Sequence, residues 1–442
     1  MHFQKSPLLK KSTPQGWCFF QTSNGQVTEA WSNWEGTNLH ETVNYAAQLV
    51  EKSKAQGAYL EEIPAHYRAQ STGIDLQVHL RFPGQAHKET LLGGLESAVL
   101  GGYDSIVTMP NTNPYLDNSA LLEQAIADCA REAVGYPVRI GFTASATIGM
   151  LGEQETNIAA LAKAGAVAIT DDGWGVKSDS AMLRVLQACA ESDLLFQQHA
   201  EMPGHMGVAT ASSFQTSSAL PVYPRSAESE MIRRDIALLK KVPKARYHVL
   251  HVSTRESLEE IRKAKEAGLR VTAEVSPHHL FFSNADIPPS TDPRSSNYKM
   301  NPPLFDPEDR IALVQALRIG LIDCVSTDHA PHEAELKAKG WNLCPFGTRG
   351  METALPTLLT LEHRGFLTPK RVNEVFHLVP RKILDRKEFA ESTGILFVDT
   401  HKEYEISQAE LPGISQNSCF LGSRLQGRVE IRGENGAIYR RS

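Results

Sequence analysis

The chain has 442 residues, with 45 Lys and Arg against 51 Asp and Glu, a formal net charge of −6. That length suits one large domain with appended segments, or two domains. A 41% hydrophobic share with 22% charged residues excludes a disordered, collagenous or coiled-coil chain, and the acidic balance offers no footprint for nucleic acid or an anionic membrane.

In chain order, the first twenty residues are basic but lack the continuous apolar run of a secretory signal. No later apolar run approaches the roughly 18 residues of a membrane-spanning helix, so the expectation is a cytoplasmic protein acting on a small molecule. The six cysteines, Cys18, Cys129, Cys189, Cys324, Cys344 and Cys419, lie far apart without a CxxC pair, which points to reduced thiols. Residues 1–70 read as an N-terminal extension or flanking subdomain, and segment 38–59 spaces its apolar residues as a helix does.

Eight short β-rich runs then begin at Gly73, Asp104, Val138, Ala166, Leu194, Tyr247, Arg270 and Ile322. Helical patterns occupy 91–101, 120–133, 158–164, 181–191, 228–240, 256–267 and 310–319, with a capping box expected between Ser253 and Glu256. This alternation predicts an α/β fold with parallel strands, a (β/α)8 barrel over residues 71–380 in preference to a doubly wound open sheet. The β-like pieces of residues 381–442 read as a C-terminal flanking segment.

Nearly every run ends in polar or ionisable residues, and a barrel gathers such ends on one face. His79, Asp171 with Asp172, His199, His251, and Asp328 followed by His329 and His332 stand at five of these ends. Imidazole with carboxylate suits Zn²⁺ or a similar first-row ion, and a shared carboxylate can bridge two ions about 3.5–4 Å apart. The pattern therefore points to a hydrolytic metal centre. His248, His278, His279 and His329 are expected instead to pack or to hydrogen-bond behind the ligands. Arg81 stands two residues past His79 on the same face of its strand, placed to clamp a carboxylate.

The motifs DLQVHLRFPG followed by KE, then MPNTNP, TDDG, QHAE, HVST, TAEVSPHHL, YKMNPPL, STDHAPH and PFGTRGMETALP resemble those of the dihydroorotases. The resemblance is to the longer type I form within the amidohydrolase superfamily and spans about residues 73–360. It implies an amidohydrolase barrel, one or two Zn²⁺ per chain, and reversible cyclisation of N-carbamoyl-L-aspartate to L-dihydroorotate in pyrimidine biosynthesis. It further implies that His79 and Asp328 hold one metal, His199 and His251 the other, and that Asp172 is shared between them, with Asp171 a neighbour. Asp328 would also move the catalytic proton, while Arg81, Asn111, Asn301, His332 and the backbone at Phe346 and Gly347 would bind substrate.

Two departures stand out. The family writes its first strand His-x-His-x-Arg, and here the first histidine is Gln77, a weak ligand at best. One metal with activity, two metals, or a catalytically weak assembly partner of aspartate carbamoyltransferase are the alternatives this opens. A homo-oligomer is also left open. The other alternative, an allantoinase- or hydantoinase-like cyclic amidase, is disfavoured by the aspartate of TDDG and by Arg81 with Asn111. The second departure is EEIPAHYRAQSTGID, which replaces the apolar strand and Pro-Gly turn usual before the first barrel strand.

Overall fold

The computed structural model describes residues 9–12, 16–33, 46–204, 221–434 and 437–441. Among the described N-terminal residues, β2 (Trp17–Ser23), β3 (Gln26–Ser32) and β4 (Tyr59–Glu62) form a three-stranded sheet against which α1 (Ala46–Ala55) packs, while β1 (Leu9–Ser12) and β5 (Tyr67–Ser71) join another sheet. The helix expected over 38–59 is thus realised as α1. Its positions 38–45 lie outside the described residues, and Tyr59 has already entered β4.

The eight sequence runs become β6 (Gly73–Val78), β7 (Tyr103–Thr108), β8 (Arg139–Ser145), β9 (Ala166–Thr170), β10 (Leu195–Gln198), β11 (Arg246–Val249), β12 (Val271–Val275) and β13 (Cys324–Val325). They form one sheet in which each strand pairs parallel with its neighbour in sequence. The two ends of that sheet meet: Val78 bridges His329, and the His79 N–H donates to the His329 carbonyl at 2.9 Å. The fold is therefore the barrel and not the open sheet.

Helices α2 (Leu91–Gly101), α3 (Ser119–Glu132), α4 (Ile158–Lys163), α5 (Asp179–Glu191), α6 (Ser226–Leu239), α7 (Arg255–Glu266), α8 (Pro277–Phe281) and α9 (Pro307–Ile319) return the chain between strands. Several begin a residue or more earlier than apolar spacing alone indicates, because polar caps precede the apolar stripe. Asn118 caps α3 and Ser178 caps α5, each accepting from a backbone N–H three residues on.

The capping box expected between Ser253 and Glu256 does not form. Thr254 caps α7, accepting from the Ser257 N–H at 3.3 Å. Ser253 instead donates to Glu228 through its N–H at 3.1 Å and its hydroxyl at 2.6 Å. Glu228 is a buried carboxylate that needs donors, and its demand outweighs a box that a neighbouring threonine can replace. Glu256 turns outward to Arg225 at 2.9 Å.

The helices pack on the barrel through one continuous core, to which α7 contributes Leu258, Ile261 and Ala264 from one face. A smaller cluster including Ile74, Leu76, Val107, Leu195 and Cys324 is separate from it. The chain ends build a five-stranded sheet in the order β1, β16 (Ala437–Arg441), β15 (Arg424–Glu434), β14 (Gly394–Glu405), β5. Trp17, Phe19 and Trp31 pack beneath it against Phe397 and Ile431. EEIPAHYRAQSTGID holds the last two residues of β4, all of β5 and the start of β6, so this approach to the barrel is also made of strand.

Candidate metal centre

Parallel strands all point their carboxyl ends the same way, so residues far apart in sequence converge there. His79, Asp172, His199, His251 and Asp328 meet in this way, all buried. Asp172 is the hub. Its Oδ2 lies 3.1 Å from His79 Nε2, and its Oδ1 lies 3.5 Å from His199 Nδ1 and 3.6 Å from His251 Nε2. His79 Nε2 is also 3.0 Å from Asp328 Oδ1, and His199 Nδ1 is 3.0 Å from His251 Nε2. Two donor sets result, Asp172 with His199 and His251, and Asp172 with His79 and Asp328, each with its ligand atoms within 4.8 Å of one another.

Electrostatics show what this cluster wants. Burial alone lowers the pKa of His79 and of His199, but hydrogen bonds to Asp172 with Asp328, and to Asp172 with Glu201, outweigh it and raise them to about 9 and about 10. Burial likewise pushes the Asp172 carboxyl up, yet its three histidine partners hold it well below the usual carboxylate range. The pocket is built around positive charge, and imidazole and carboxylate donors fit a divalent first-row ion.

Neighbouring side chains orient these groups. The His79 Nδ1–H donates to Asn111 Oδ1 at 2.9 Å, leaving Nε2 toward both carboxylates. Glu201, which the motif QHAE contains but to which no role was given, accepts from His199 Nε2 at 3.3 Å and from Asn301 Nδ2 at 2.7 Å. Its place two residues past His199 was the available signal, since period-two spacing puts both on one side of an extended chain. Gln77 enters the same centre, with Nε2 donating to Asp172 Oδ1 at 3.1 Å and its buried Oε1 without a hydrogen-bond partner.

Arg81, Asn111, Asn301, His332, Phe346 and Gly347 line one cavity of about 770 Å³ together with the five centre residues. Arg81 Nε donates to the Pro331 carbonyl at 3.1 Å and Nη2 to His332 Nε2 at 3.0 Å. Burial lowers the Arg81 pKa to about 10, which leaves it cationic at neutral pH. Burial, then the Arg81 charge, hold His332 neutral, as an acceptor must be. Arg81, His251 and Asp328 adopt left-handed φ values of 60°, 30° and 48°. Such backbone costs about 1–3 kcal/mol per residue and clusters at functional sites. At Gly347, φ is 131° and a Cβ would lie 2.8 Å from both the Cβ and the carbonyl oxygen of Ala330, so this loop closes only on glycine.

The remaining candidates lie outside this cavity. Asp171 accepts from the backbone of Ala146 and Thr147 at 2.8 and 3.0 Å, tying the end of β9 to the segment after β8. His248 bonds Thr272 and Glu274 at 2.7 and 2.9 Å. With Glu274 and Cys324 it forms a third potential donor group among the described residues, but both its ring nitrogens are already engaged. His278 and His279 bond Ser276, and His329 accepts from the Gly350 N–H at 3.2 Å.

Residues 71–257 match the model of the Dihydro-orotase-like family. A dihydroorotase of Brevibacillus brevis is 38% identical over 411 residues, covering 88% of this chain and 94% of its own length. The chain belongs to the dihydroorotase family. A second dihydroorotase, from a Geobacillus species, is 39% identical over 361 residues, 80% of this chain and 83% of that one. Among solved structures, the L-hydantoinase of Arthrobacter aurescens superposes with a TM-score of 0.76 at 21% identity, covering 95% of this chain and 94% of its own. The Saccharomyces cerevisiae dihydroorotase in complex with 5-fluoroorotic acid gives 0.66 at 19%, covering 82% and 98%. At those identities the likeness is one of fold. As a dihydroorotase-family member the chain is a cyclic amide hydrolase. Among the described residues no helix is long and apolar enough to cross a membrane.

Proposed function

We propose that this chain is a zinc-dependent dihydroorotase that interconverts N-carbamoyl-L-aspartate and L-dihydroorotate for pyrimidine biosynthesis. The observation that carries the reading is the placement of a buried guanidinium, Arg81, in the same cavity as the carboxylate–imidazole centre. An anionic cyclic amide needs both.

A zinc ion held by Asp172, His199 and His251 would supply Lewis acidity and water reactive at neutral pH. The other steps belong to the chain itself. Arg81, kept in place by Pro331 and His332, receives the substrate carboxylate through the N–H groups those partners leave free. Asn301 Oδ1, buried and without a partner, accepts an N–H of the substrate, while the Asn301 amide nitrogen stays on Glu201. The Phe346–Gly347 backbone, which lines the same cavity, contacts the substrate. Asp328 takes the proton from the attacking water and delivers it to the departing amide nitrogen, and the same proton path run backwards serves ring closure. These groups also speak against a silent assembly partner of aspartate carbamoyltransferase, which would need none of them.

The test is dihydroorotate hydrolysis by the purified chain, with elemental analysis of the same sample. Turnover by the chain alone with bound zinc is expected. A metal-free, inactive protein that added zinc fails to rescue would overturn the proposal.

A further inference from the structure

The two donor sets that share Asp172 are unequal. One joins the carboxylate to two imidazoles, His199 and His251, which is a complete three-ligand set with room for an open position. The other has a single imidazole, His79, and two carboxylates, Asp172 and Asp328, and the residue two before His79 along the chain is the buried Gln77.

That amide presents the wrong atom. Its nitrogen, 3.1 Å from Asp172 Oδ1, has no electron pair to offer a cation and instead donates a hydrogen bond to the shared carboxylate. Turning the amide over would forfeit this hydrogen bond, its oxygen facing the same carboxylate oxygen as two acceptors unless a cation lay between them. Even turned, a neutral amide oxygen is a poorer donor than imidazole for a first-row ion. The oxygen bonded by Gln77 is also the one that faces His199 and His251, so the amide steadies the carboxylate for that side. A second ion about 3.5–4 Å from the first would add charge repulsion with no imidazole at position 77 to offset it.

We propose that this chain retains one divalent ion, on Asp172, His199 and His251, and that Gln77 keeps the His79–Asp328 side free of a second. The inference rests on the metal-hydrolase reading above. His79 and Asp328 then remain a hydrogen-bonded pair facing the substrate cavity, with Asp328 available to move protons rather than tied to an ion.

The experiment is equilibrium dialysis of the full-length protein against chelator-buffered zinc, followed by elemental analysis, with circular dichroism to confirm folding. The expected contents are one zinc per chain in the wild type, one in His79→Asn, none in His251→Asn, and two in Gln77→His. Two ions in the wild type, loss of the ion in His79→Asn, or a single ion in folded Gln77→His would each overturn the proposal. Should Gln77→His fail to fold, the His79→Asn and His251→Asn pair still decides which side holds the ion. A wild type that binds no zinc overturns this inference and the metal-hydrolase reading together, so the two failures are distinguishable.

Discussion

Replacing Arg81 by Met removes the charge proposed to select the substrate while keeping an unbranched side chain on the same left-handed backbone. Two of the five N–H groups of a guanidinium are engaged here, one by the Pro331 carbonyl and one by His332 Nε2. Three remain, enough for a two-pronged grip on a carboxylate. Hydrogen bonds to charged groups contribute about 1.5–3 kcal/mol each, so losing two costs about 3–6 kcal/mol. At about 1.36 kcal/mol per decade, kcat/KM for dihydroorotate falls roughly 10²- to 10⁴-fold. Steady-state hydrolysis of dihydroorotate and of dihydrouracil, the same ring without the carboxylate, separates this effect from general damage. The wild type should prefer dihydroorotate by a similar factor, and Arg81→Met should lose the preference through dihydroorotate alone. An equal fall on both substrates, or a loss under tenfold, would remove Arg81 from carboxylate recognition.

Asp328→Ala should lower kcat by about 10²- to 10⁴-fold, the usual share of a general acid–base, with circular dichroism unchanged; activity within tenfold of wild type would take Asp328 out of the proton path. Glu201→Gln keeps an acceptor for one partner but loses the charge that holds both His199 and Asn301, so competition with a chelator should show zinc affinity reduced about 10- to 100-fold. Remote from the site, Asp104 binds Arg381 at 2.7 Å and Arg139 at 3.1 Å. Burial alone would raise its pKa, but the two arginines and its hydrogen bonds lower it from 3.8 to about 2. The unfolded chain therefore binds more protons between those values, and the stability from this group is complete above about pH 4 and lost as the pH falls toward 2. Asp104→Asn should cost about 3–5 kcal/mol at neutral pH, read by urea unfolding, and the difference should shrink below about pH 4. A difference independent of pH would refute the ion-pair account.

Several features of this enzyme were legible along the chain because they are local. Strand and helix periods, the polar ends of the eight runs, and caps such as Ser178 need only neighbouring residues, so the eight barrel strands and the chemical types at their ends could be read directly, whereas α8 and the N-terminal strands β1–β5 were not. The capping box at Ser253 misled because its outcome depended on Glu228, a carboxylate 25 residues away that claimed the same hydroxyl.

What the sequence by itself determined is therefore the succession of the barrel strands and a supply of imidazole, carboxylate, guanidinium and amide groups at their ends. The tertiary structure decided how they meet. Closing the sheet through Val78 and His329 brings His79 beside Asp328, 249 positions later. The way β9 ends sends Asp172 to the histidines and Asp171 to the Ala146–Thr147 backbone, although the two are adjacent and chemically alike. The folded chain also pairs Glu201 with Asn301 and turns the Gln77 amide nitrogen onto Asp172. Each of these depends on distances through space, which spacing along a chain does not carry.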